Sequence, residues 1–88
     1  MARPKFDLDP TLRDACLEVL KTHRGRGHVY SGGTGVSCFV WVTGQSTRPG
    51  TACRALLGSF DLDLRNSDKL YAALRAIPGY RDATINID

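Results

Sequence analysis

Residues 35–43 read Gly-Val-Ser-Cys-Phe-Val-Trp-Val-Thr, and the fold turns on that run. In an extended chain Val36, Cys38, Val40 and Val42 share one face, and Phe39 and Trp41 share the other. So many β-branched and aromatic residues predict a strand. One apolar face can pack on helices. The second predicts a further contact, because a chain of 88 residues supplies one two-layer core and no more.

Downstream, Gln45, Ser46, Thr47, Arg48, Pro49 and Gly50 form a turn-rich run, so the strand folds back as a hairpin with a long tip. The return strand is predicted over residues 52–64. There Arg54, Leu56, Gly58, Phe60, Leu62 and Leu64 alternate with Cys53, Ala55, Leu57, Ser59, Asp61 and Asp63. Alternation sets Leu57 on the polar face with Ser59, Asp61 and Asp63, beside Phe39 and Trp41. Gly58 marks a bulge or bend. Asn66 or Ser67 caps a second helix with an apolar stripe of Leu70, Ala73, Leu74 and Ile77, stopped by Pro78-Gly79. Residues 81–88 alternate again as a last strand, with Ala83, Ile85 and Ile87 inward.

Upstream, Asp9 offers a cap oxygen and Pro10 fits a first helical position. Leu12, Ala15, Cys16, Val19 and Leu20 then recur at helical spacing, predicting a helix over residues 10–23 that ends at Gly25. Residues 25–35 are glycine-rich and read as a loop. Residues 5–8, with Phe6 and Leu8 on one side, suggest a short first strand.

The order is strand-helix-strand-strand-helix-strand, or helix-strand-strand-helix-strand without that first element. Either is an α+β two-layer sandwich, with a mainly antiparallel sheet carrying two helices on one face. A right-handed crossover through the second helix would make it a ferredoxin-like plait. Leu62-Asp63-Leu64, the stripe from Leu70 to Ile77, Pro78-Gly79-Tyr80 and Ala83-Thr84-Ile85 loosely resemble the second half of small regulatory ACT-type domains. That resemblance covers about a third of the chain, and its motifs are generic, so it implies no binding residue here.

With 42% hydrophobic and 24% charged residues the composition is that of an ordinary globular domain. No stretch approaches a membrane span, and no apolar segment follows the amino-terminal charges, so a cytoplasmic protein is expected. Cys16, Cys38 and Cys53 are odd in number and widely spaced, which suits reduced core thiols. The net charge of +3 permits nucleic acid without requiring it. Arginine outnumbers lysine, as GC-rich codons would produce, and a small domain of this kind suits a phage or mobile-element product that acts on a host protein.

No catalytic, cofactor or metal signature accompanies these elements. Cysteines and histidines lack ligand spacing, and Asp61 and Asp63 on one strand face read as solubilising charges rather than as an acid/base pair. Arg24, Arg26 and His28 beside Gly32-Gly33-Thr34-Gly35 could hold an anion, although the spacing matches neither a dinucleotide fingerprint nor a phosphate loop. The strand order suits an RNA-recognition domain, but the basic-glycine-aromatic run on the third strand is missing. The expected function is therefore a non-enzymatic interaction module, binding a protein partner or its own copy through Phe39, Trp41 and Leu57. The alternative is nucleic-acid binding through Arg24, Arg26, Arg48 and Arg54, with His28 as a further contact.

Overall fold

The computed structural model of the chain describes residues 7–27 and 32–87. The elements are α1 (Pro10–Thr22), β1 (Gly35–Gln45), β2 (Ala52–Asp63), α2 (Ser67–Arg75) and β3 (Tyr80–Ile87), with one turn of 3-10 helix, Leu64–Asn66, leading into α2.

α1 opens with Pro10 in its first turn, but the Asp9 side chain makes no capping bond. The Asp9 amide donates instead to the Gln45 carbonyl at 2.9 Å and ties the helix start to the end of β1. Leu12, Cys16 and Leu20, four residues apart, bury one stripe. At the other end the Thr22 hydroxyl and the His23 Nδ1 donate to the Val19 carbonyl at 2.8 and 2.9 Å, an acceptor the finished helix would leave open. The N-cap of α2 is Asn66, one of the expected pair, and the capping side chain belongs to the 3-10 turn before it. Asp63 accepts from the Arg65 amide at 3.0 Å and from the Asn66 side-chain amide at 2.9 Å, while Asn66 itself makes no side-chain cap.

The sheet has three strands in the order β2-β1-β3, with both pairings antiparallel. The two-faced segment is thus the central strand, and the class is α+β. This order does not establish the ferredoxin-like plait. The last strand lies directly beside β1, and α1 precedes every strand of the sheet among the described residues. Of the expected first strand, Lys5 and Phe6 lie outside the described residues. Leu8 forms a single antiparallel bridge to Ser46, with the Thr47 amide donating to Asp7 at 2.8 Å.

Both helices contribute to a core on one face of the sheet. Leu12, Cys16 and Leu20 of α1 and Leu70 and Leu74 of α2 meet Cys38, Val40 and Val42 of β1 and Leu57 and Leu62 of β2. The valine and cysteine face of residues 35–43 is the covered one, as its pattern predicts. Extents of 48 × 31 × 15 Å describe a thin slab of two layers, with nothing over the second sheet face among the described residues.

Candidate interaction face

The open face is built by alternation on three strands, and one irregularity decides its composition. Val40 pairs with Gly58, but the next residue, Trp41, pairs with Leu56. Leu57 is therefore the extra residue of a β-bulge, which reverses the side-chain phase of β2 at that point. Before the bulge Cys53, Ala55 and Leu57 face the core; after it Phe60 and Leu62 do. Gly58 holds φ +134°, a conformation open to glycine and strained for any residue with a Cβ.

The bulge corrects one expected site residue. Leu57 is only 9% exposed and belongs to the core, so it does not stand beside Phe39 and Trp41. Leu56 takes that position, opposite Trp41 and 41% exposed. Gly58 signalled the irregularity in the sequence. The consequence for register needed the pairing of β1 to be known.

Phe39, 39% exposed, sits between Ser59 on β2 and Asn86 on β3, and Trp41 between Leu56 and Thr84. The three apolar side chains are contiguous, and their frame is polar: Ser37, Thr43, Asp61, Asp82, Thr84 and Asn86 occupy neighbouring positions on the same face. Arg54, opposite Thr43, reaches diagonally so that its guanidinium carbon lies 4.6 Å from the Trp41 ring centre. A cation over an indole face is attracted by the ring quadrupole, and it leaves Trp41 half-buried without any partner molecule.

The arginines do not form one surface. Arg24 bridges to Leu62 at one end of the hairpin, and Arg48 belongs to the turn at the other, beyond Ala52. Ten residues of β2 at about 3.3 Å each put ~30 Å between them. Arg54 lies between and is engaged with Trp41, and His28 falls outside the described residues. Three described amides of the glycine-rich segment are already taken within the protein. Gly25 donates to the Asp61 carbonyl, Thr34 to Arg26 and Gly35 to Gly27, at 3.0, 2.9 and 3.0 Å, so the Thr34 and Gly35 amides are not free for an anion. Gly25 and Gly35 are also in backbone contact: a Cβ on Gly25 would meet the Gly35 Cα.

Asp61 and Asp63 have separate surroundings. Asp63 caps the turn into α2. Asp61 lines an open cavity of about 270 Å³ with Lys21, Arg24, Ser59 and Phe60, and its Oδ1 is buried with no hydrogen-bond partner among the described residues. Among the described residues no three His, Cys, Asp or Glu side chains gather as a metal site. Cys16 and Cys38 are buried, and burial pushes the Cys16 thiol up to about 11. Burial, then the negative charge of Asp61, raises Cys38; burial, then Asp7, raises Cys53. These thiols are held protonated and are poor nucleophiles at neutral pH.

No helix among the described residues is long and apolar enough to cross a membrane. No family model matches the chain, and no curated protein or solved structure matches it significantly.

Proposed function

We propose that this chain is a small non-enzymatic interaction module that binds a protein partner through the open sheet face centred on Phe39, Trp41 and Leu56. The observation carrying this reading is the contiguity of three large apolar side chains on a face that neither described helix covers, inside a polar frame. Apolar clusters of this kind, rimmed by polar groups, mark contact sites. Tryptophan and arginine, paired here as Trp41 and Arg54, are the residue types that carry most energy in interfaces. The aspartates Asp61 and Asp82 at the frame would repel a phosphate backbone and do not oppose a protein. A host protein targeted by a phage or mobile-element product is the partner that the size and arginine bias suit.

The test is the double substitution Phe39→Ala with Trp41→Ala. Both positions are outside the core, so the protein should keep its circular dichroism while losing its partner. Retention of every partner by the folded double variant would remove the reading.

One observation favours a second reading. An arginine stacked on an indole beside an exposed phenylalanine is also a platform on which a nucleic-acid base could lie. Binding of that kind, assisted by Arg24, Arg26 and Arg48, would weaken steeply with salt. Absence of any salt-sensitive affinity for single-stranded RNA or DNA at low ionic strength excludes it.

A further inference from the structure

The two edges of the sheet are protected very differently. On β2, the bulge at Leu57 and Gly58 breaks the edge in its middle. Residues 23–25 then cover its far end, with the Gly25 amide on the Asp61 carbonyl and the Asp63 amide on the His23 carbonyl at 3.0 and 3.1 Å. β3 has one irregularity, between its partners Thr43 and Gly44, near Arg81 at its start. From Ala83 to Ile87 it has no bulge, proline, glycine or lysine and no charge turned toward the core. No described segment pairs with its outer side. Charged, bulged or covered edges are how sheets avoid pairing with other chains, and from Ala83 onward the one such device here is the Asp82 carboxylate on the Ala83 amide. Ile87, on the helix side, is 68% exposed, the most exposed of the large apolar side chains described.

We infer that β3 pairs antiparallel with β3 of a second copy of this chain, across a two-fold axis at Thr84, to give one continuous six-stranded sheet. The inference goes beyond the face-binding reading and does not depend on it. Self-complementarity selects a second copy over an unrelated strand. With Thr84 opposite its own equivalent, the open face brings Asp82 against Asn86 of the other copy, twice. In the single copy the Ala83 amide donates to Asp82 Oδ1; on pairing, that amide turns to the Ile85 carbonyl of the other copy and frees the carboxylate to accept from the asparagine amide. On the helix side Ala83 meets Ile85, and the stem of Arg81 covers Ile87. No like charges face each other, and threonine pairs and opposed polar partners are favourable across antiparallel strands. A pairing of even register keeps all four helices on one side and lays the two Phe39 and Trp41 faces next to each other.

A strand edge is a small interface, so a weak, concentration-dependent dimer is expected. Sedimentation equilibrium of the full chain should show the mass rising from 9.6 kDa toward twice that value as concentration increases to ~1 mM. Thr84→Arg puts two cations on the axis and Asn86→Asp puts carboxylate against carboxylate. Both side chains point to solvent in the monomer, so each variant should keep its circular dichroism and shift the dimer midpoint to at least ~10-fold higher concentration, the change that like charges in contact impose. A wild-type chain that stays monomeric over this range overturns the inference. So does a dimer whose midpoint is unmoved in whichever of the two variants remains folded.

Discussion

Truncating two adjacent leucines separates the bulged register from strict alternation. Leu57 is 9% exposed and packs among Val40, Leu62 and the helices; Leu56, next in the chain, is 41% exposed on the open face. A buried leucine cut to alanine loses its transfer energy and leaves a cavity, so Leu57→Ala should cost about 3 kcal/mol, within the usual range of about 2–5 kcal/mol. Leu56 has buried only part of its side chain, and Leu56→Ala should cost about 1 kcal/mol or less by area. In a domain of this size each kcal/mol shifts the melting temperature by about 4–8 °C, so the two variants should melt at least about 8 °C apart. Urea unfolding followed by circular dichroism gives the same comparison with unchanged slopes. Equal costs, or a larger loss for Leu56→Ala, would refute the bulge and return Leu57 to the open face.

Other perturbations follow from the same geometry. Gly58→Ala forces a Cβ into φ +134° and should cost about 1–3 kcal/mol by urea unfolding, whereas an unstrained site would show no loss. The Cys16 thiol titrates near 9 in the unfolded chain and about 11 in the folded one, so its contribution is complete below pH 9 and is lost as pH rises to 11. About 3 kcal/mol of stability should disappear over that window, and Cys16→Ala should flatten that part of the pH profile. Arg54→Ala uncovers the Trp41 ring, so acrylamide should quench this sole tryptophan more strongly while stability falls by about 1 kcal/mol or less. An unchanged quenching constant would mean that Arg54 does not shield the ring.

The helices and the core were legible because their signals are local. Leu12, Cys16 and Leu20, and Leu70 and Leu74, repeat at helical spacing, and Cys38, Val40 and Val42 alternate without interruption. The phase of β2 was not legible, because a bulge adds one residue against a partner, and which residue is added is fixed by pairing and not by composition. Leu56 was missed for that reason, while Phe39 and Trp41, on the uninterrupted strand, were placed correctly on the open face. The strand order was equally hidden: nothing local in Ala83, Thr84 and Ile85 states that they lie beside β1. The arginines looked like one group because loops carry no distances, yet Arg24 and Arg48 stand at opposite ends of the hairpin.

The face itself is tested most directly by affinity capture from the cells that make the protein, comparing the wild type with the folded Phe39→Ala/Trp41→Ala variant and with Glu18→Ala, on the exposed side of α1, as a control outside the patch. The account predicts a partner protein retained by the wild type and by Glu18→Ala and lost from the double variant. Capture of the same partner in equal amount by the double variant would contradict it.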